Sequence, residues 1–395
     1  MEDPRQHILP VYRPPEEVFV QGEGAYMFTE DGRRYLDFIA GIAVNALGHA
    51  HPAMIDALRD QAGKLWHTSN MFRIKGQEEL ADKICRDTFA DRVFFTNSGT
   101  EAIECAIKAA RKYHWAAGDP DRIDIITFTG AFHGRSIGAI NAGGNPKYLE
   151  GFGPKLPGFV HLEWGDHDAL KAALAASTTA AVLVEPVQGE GGVRAMPEQC
   201  LKGLRELCDQ HGVLLMFDEV QCGMGRTGKL WGYQWAADVE PDVIAAAKGI
   251  GGGFPFGACL MTEAVAEPMQ PGSHGSTYGG NPLAMAVGNA VWDIISNEEF
   301  LANVRRVSGT LAQGLKSLAD SHPDKVEGVT GKGLLTGLRL KADPKNLQTL
   351  CREEGLLAGV AGNNVLRLAP PLIIDDAQVR DAVSMIDAAL TEWAP

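Results

Sequence analysis

From about residue 90 onward the chain alternates short continuous apolar runs with longer stretches whose apolar positions recur every three or four residues. The runs are 92–96, 123–128, 180–184, 213–217 and 243–247. Between the first two, Ala102, Ile103, Ala106, Ile107 and Ala110 share one face of a predicted helix. After Pro197, Leu201, Leu204, Leu207 and Cys208 do the same. Strands that are apolar throughout, without alternation, are buried on both faces. The rhythm therefore predicts an α/β fold with a mainly parallel sheet flanked by helices.

The two ends read differently. The first fifty residues hold short alternating segments and turns such as Glu30-Asp31-Gly32-Arg33. A helical pattern covers 284–295, and from about 330 short strands alternate with helices. This predicts a large domain, 58–284, and a smaller α+β domain built from 1–57 and 285–395.

With 395 residues the chain is long enough for such a pair of cores. The net charge of −14 argues against non-specific binding to nucleic acid or anionic membranes. No stretch reads as a membrane span, and Met1–Gln6 does not read as a signal peptide. The seven cysteines show no CxxC or metal-ligand spacing, so reduced thiols in the cytoplasm and no metal site are expected.

The 46 glycines change this picture, because they gather at the ends of apolar runs. Lys248 follows the run 243–247 and precedes Gly249-Ile250-Gly251-Gly252-Gly253, glycines expected to leave open space beside it. Burial lowers a lysine pKa and frees the amine to attack a carbonyl. The run 213–217 ends in Asp218-Glu219. A lysine and a carboxylate at neighbouring strand ends suit pyridoxal phosphate (PLP), the one attached to its aldehyde and the other paired with its ring nitrogen.

Other motifs are weaker alone. Ser98 and Glu101 fit a capping box, while Gly99 and Thr100 at the same helix end suit a phosphate. Phe132 suits stacking on a flat ring or plain core packing. Arg135 suits a carboxylate or the surface. Glu185 and Glu190 lie among glycines, and Arg367 sits inside an apolar run, where a charge needs a partner. Gly223–Gly228 matches G-x-G-x-x-G without the flanking strand and helix of a nicotinamide site, and is read as a glycine loop. Residues 274–282 form a polar loop before a helix.

Taken together these residues resemble the class-III, fold-type-I PLP-dependent aminotransferases. The likeness runs from Gly41-Ile42-Ala43-Val44 and Gly48-His49-Ala50-His51-Pro52 through His67-Thr68-Ser69-Asn70, Ser98–Ala102, Asp218–Gln221, Gly225–Gly228 and Lys248-Gly249. It continues through Ser276–Pro282 to Pro370-Pro371-Leu372. The resemblance implies that Lys248 attaches the cofactor and shuttles the proton. Asp218 would meet the ring nitrogen, Gln221 the ring hydroxyl, and Phe132 and Val220 the ring. Ser98, Gly99 and Thr100 would hold the phosphate, with Thr277 from a second copy in a homodimer that shares its sites. Arg135 and Ser276 would take the substrate carboxylate. Glu190 and Arg367 would form a switch that closes for an ω-amino donor and opens for 2-oxoglutarate or glutamate. Ile103 replaces the family's common asparagine, on the apolar face, which implies a packing change. The compact N-terminal part and His67–Asn70 favour N-acetylornithine as donor. The alternatives are ornithine, succinylornithine, succinyldiaminopimelate, 4-aminobutyrate, or an aminomutase reaction.

Overall fold

The computed structural model describes residues 7–394, so Met1–Gln6 lie outside the described residues. A seven-stranded sheet holds, in spatial order, Arg92–Thr96, Gly257–Met261, Val243–Ala246, Leu214–Asp218, Thr179–Val184, Asp124–Phe128 and Phe159–Leu162. Every run expected to be a strand is one. Gly257–Met261 is antiparallel to both its neighbours, and the other pairings are parallel. Gly257–Met261 and Phe159–Leu162 escaped the sequence reading. The former, Gly-Ala-Cys-Leu-Met, has no β-branched residue to signal a strand.

Fully buried strands still divide their side chains between two faces. Ala181, Leu183, Leu214, Met216, Val243 and Ala245 pack under the Gly99–Ala116 helix. Val182, Val184, Leu215, Phe217 and Ile244 face the opposite layer. The helix turns Ala102, Ala106, Ala109 and Ala110 to the sheet, and small residues let it lie close. Ile103 is fully buried in that layer, as its place on the apolar face implied. Burying such a side chain is worth about 1.5–3 kcal/mol.

Both termini contribute to a four-stranded sheet. Phe19–Glu23, Tyr26–Thr29 and Arg34–Asp37 are joined by Leu356–Leu357. A second four-stranded, antiparallel sheet contains Val326–Lys332, Leu335–Leu340, Val365–Leu368 and Gly359–Ala361. The helices Glu298–Ser321 and Asp376–Glu392 pack together near it. Among the described residues no helix is long and apolar enough to cross a membrane.

The turn at 40–43 was not expected. Ala40, Gly41, Ile42 and Ala43 all have φ between 49° and 67°, a left-handed turn in which three residues carry a Cβ. Each such residue costs roughly 1–2 kcal/mol. Asp37 holds the turn's entrance, accepting from the amides of Ile39 at 2.9 Å and Ala40 at 2.8 Å, and bonds His49 at 2.8 Å.

Candidate active site

Asp218 ends its strand in register with Ala245 on the neighbouring one, three residues before Lys248. Ligands in such sheets gather at the carboxyl ends of the strands. A cavity of about 350 Å³ opens there, lined by Lys248, Asp218, Val220, Phe132, His133, Val44 and the turn Asn97–Thr100. A larger cavity of about 520 Å³, walled by Trp164, Met196 and Leu204, contains neither the lysine nor the aspartate.

Lys248 is half-buried, with φ 49°, an unusual backbone for a residue with a Cβ. Its carbonyl accepts from the amides of Gly251 at 2.9 Å and Gly252 at 3.2 Å. Burial, and then the charge of Arg367, push its amine down to about 8, against the pull of Glu190, Asp218 and Glu185. The glycines beside it do not leave open space. A Cβ on Gly251 would lie 2.0 Å from the Phe254 carbonyl oxygen, and one on Gly249 3.0 Å from Met224. They are there because backbone packs against backbone.

Asp218 is 3 % exposed. Its Oδ1 accepts from the Val220 amide at 3.0 Å, and its Oδ2 lies 2.8 Å from Nδ1 of His133. His133 is buried, and its Nε2 has no partner among the described residues. An imidazole donating to Asp218 keeps that carboxylate oriented toward the cavity. Sequence reading passed over His133. The available signal was its place between Phe132 and Gly134, in a loop that already held candidate site residues.

Ser98 caps the Gly99–Ala116 helix, its Oγ accepting from the Glu101 amide at 3.4 Å. The capping box is only half formed, because Glu101 takes the amide of Asn97 at 2.6 Å instead of that of Ser98. The first-turn amides of Gly99 and Thr100 have no helical partner and face the cavity. The Thr100 hydroxyl is engaged elsewhere. It donates to Ser136 Oγ at 3.0 Å and accepts from the amides of Arg135 and Ser136 at 3.2 Å. It thereby ties the 130–136 loop to the helix end. Gly134 is wedged into this joint, with φ 127° and a would-be Cβ 2.4 Å from Thr100 Oγ1. Gly134→Ala should cost about 2–4 kcal/mol in denaturant unfolding; a loss within 0.5 kcal/mol, roughly that of a neutral surface change, would mean that the loop shifts freely.

Glu185 is buried between two of these loops. It accepts from the amides of Phe132 at 3.2 Å and Gly189 at 3.4 Å. Burial, with the nearby charge of Asp218, raises its carboxyl well above the usual range.

Arg367 is 6 % exposed and forms an ion pair with Glu190. It also donates to Gly189 O at 3.3 Å and Gln221 Oε1 at 3.2 Å. Gln221 is thus held toward Arg367. Arg135, in contrast, is exposed and its guanidinium has no hydrogen bond or ion pair among the described residues. Ser276 and Thr277 do not line the Lys248 cavity. They line another, of about 360 Å³, on the far side of Asn97. There Ser276 Oγ accepts from Asn97 at 3.2 Å and from the Gly279 amide at 2.9 Å, while Thr277 is exposed.

The donor set fits PLP. Unpaired helix amides suit a phosphate, buried Asp218 a ring nitrogen, Phe132 a ring face and Lys248 an aldehyde. A Cβ on Gly99 would lie 2.8 Å from Val220 and fill this cradle. Gly223–Gly228 does not join it. Arg226 in that loop is buried, bonded to the carbonyls of Leu334 and Pro370, and burial lowers its pKa to about 9.

A family model described as aminotransferase class-III matches residues 11–390. The chain is 56 % identical over 385 residues to acetylornithine aminotransferase 2 of Caulobacter vibrioides, covering 98 % of this chain and 95 % of that protein. The structure of acetylornithine aminotransferase from Elizabethkingia anophelis superposes with a TM-score of 0.87 at 35 % identity, over 98 % of this chain and 97 % of the other. That of ornithine aminotransferase from Toxoplasma gondii gives 0.94 at 33 %, over 98 % and 93 %.

Proposed function

The chain belongs to the class-III aminotransferases, and from that premise we propose that it moves the terminal amino group of N2-acetyl-L-ornithine to 2-oxoglutarate. It is PLP-dependent, and the exchange is ping-pong, in the service of arginine synthesis. The observation that supports this most is one cavity flanked by Lys248, Asp218 and a helix end, with the Glu190–Arg367 pair beside it. Bound PLP supplies an aldehyde that trades its oxygen for an amino group and a ring that draws electrons from the reacting carbon.

The chain's own residues do the rest. Lys248 holds the aldehyde carbon and then carries a proton at Nζ. Asp218, steadied by His133, pairs with the ring nitrogen. Gly99 and Thr100 offer backbone amides to the phosphate, and Phe132 and Val220 bracket the ring. Arg135 takes the donor's carboxylate. Glu190 neutralises Arg367 while acetylornithine reacts, and its withdrawal frees Arg367 for the α-carboxylate of glutamate or 2-oxoglutarate. In this structure Gln221 accepts from Arg367 through Oε1, which leaves its Nε2 to donate to the ring hydroxyl oxygen.

We read the fold as a large domain, 58–284, and a smaller one formed from 1–57 and 285–395. The shared sheet of Phe19–Asp37 strands and Leu356–Leu357 supports the second. Thr277 lies outside its own Lys248 cavity, which supports service to the site of a second copy in a homodimer. The seven cysteines are free thiols, in keeping with a reducing, cytoplasmic setting.

The amine near pH 8 gives a direct test. The neutral fraction of a lysine rises as pH climbs through its pKa. PLP should therefore load onto the stripped protein faster as pH rises, with a midpoint near 8 in the growth of its protein-bound visible band. A midpoint near the ordinary lysine value of 10.5 would show that the cavity does not activate Lys248. Replacing acetylornithine by ornithine or 4-aminobutyrate tests the donor.

A further inference from the structure

Arg135 and Phe132 share one loop, and the short helix Pro146–Leu149 brings a second ring to them. The Arg135 guanidinium carbon lies 4.5 Å from the Phe132 ring centroid and 3.7 Å from that of Tyr148. The two rings meet edge to face, 6.2 Å apart and 88° between planes. We infer that Tyr148 is the positioning residue that holds Arg135 ready for the donor's carboxylate; this rests on the reading of Arg135 given above.

The physical case is one of pre-organisation. An arginine side chain loses considerable rotamer freedom when it is fixed. An aromatic face covers one flat side of a guanidinium and leaves its N–H edges free, and a second ring at right angles to the first narrows the space in which the guanidinium can turn. Because no carboxylate or carbonyl among the described residues occupies those edges, an incoming carboxylate meets an ordered, unspent fork. The short helix that carries Tyr148 is itself held. Asn145 Oδ1 caps its helix by accepting from Lys147 N at 3.0 Å. Gly144 before it, with φ 64°, lies so close to His161 that a Cβ would meet that ring at 2.2 Å.

The test uses holoenzyme and N-acetyl-L-norvaline, which keeps the acetyl and carboxylate groups of acetylornithine but lacks the reacting amine. Its Kd is measured by calorimetry, so no turnover is required. Tyr148→Leu should raise Kd about 3- to 30-fold, the range of a cation–π contact. Tyr148→Met, which reaches further than leucine but has no ring, should do the same, and Tyr148→Phe should stay within about twofold. In an Arg135→Leu background, Tyr148→Leu should add less than about twofold. An unchanged Kd in Tyr148→Leu, beside a raised one in Arg135→Leu, would overturn the clamp alone. Equal losses in Tyr148→Phe and Tyr148→Leu, or an undiminished loss without Arg135, would also overturn it. An unchanged Kd in Arg135→Leu would overturn the reading of Arg135 itself, and the clamp with it.

Discussion

Lys248→Ala should lower turnover with acetylornithine and 2-oxoglutarate by at least about 10⁴-fold, because the proposed nucleophile and proton carrier leave together. Borohydride should no longer fix PLP to the chain. The protein should nevertheless fold. With its pKa pushed down to about 8 from 10.5, the folded amine binds protons less readily than the unfolded one. That penalty is fully present below about pH 8 and is relieved as pH rises toward 10.5. Removing the amine from cofactor-free protein should thus leave stability at pH 7 no lower than the parent's, and flatten its rise above pH 8. Turnover within tenfold of the parent would remove Lys248 from the role.

Arg367→Ala should separate the two half-reactions. Its guanidinium is buried and shares NH1 among Glu190, Gly189 and Gln221. Truncation removes the group proposed to free itself for an α-carboxylate, and it leaves Glu190 without its counter-charge. We expect kcat/KM for glutamate to fall about 10²- to 10³-fold, the worth of a charge-assisted pair. That for acetylornithine should fall less than about tenfold, since on the proposed mechanism Arg367 only stands aside while this donor reacts. Single-turnover rates with each substrate decide it. Equal losses would mean that the Glu190–Arg367 pair is structural and does not switch.

Much of this site was legible because it depends on local order. A buried strand shows as an unbroken apolar run, so Asp218 and Lys248 stood out as the first polar residues after two such runs. The Gly99–Ala116 helix showed its alanine face and its cap. What was hidden depends on contacts between distant segments. His133 is an ordinary histidine until the fold sets it against Asp218, 85 residues away. Tyr148 has no meaning without the ring and guanidinium brought to it from the preceding loop. The glycines after Lys248 looked like room for a ligand, yet Gly251 is there to clear Phe254. The left-handed turn at 40–43 left no trace, since nothing in Ala-Gly-Ile-Ala marks it, and Asp37 together with backbone bonds such as Val44 N to Ala40 O holds it.

The most direct test is single-turnover loss of the visible PLP band on adding acetylornithine, ornithine, succinylornithine, 4-aminobutyrate and glutamate separately to holoenzyme. Fast bleaching by acetylornithine and by glutamate, with slow bleaching by ornithine and 4-aminobutyrate, is the predicted result. Faster bleaching by ornithine or 4-aminobutyrate than by acetylornithine would contradict the proposed donor.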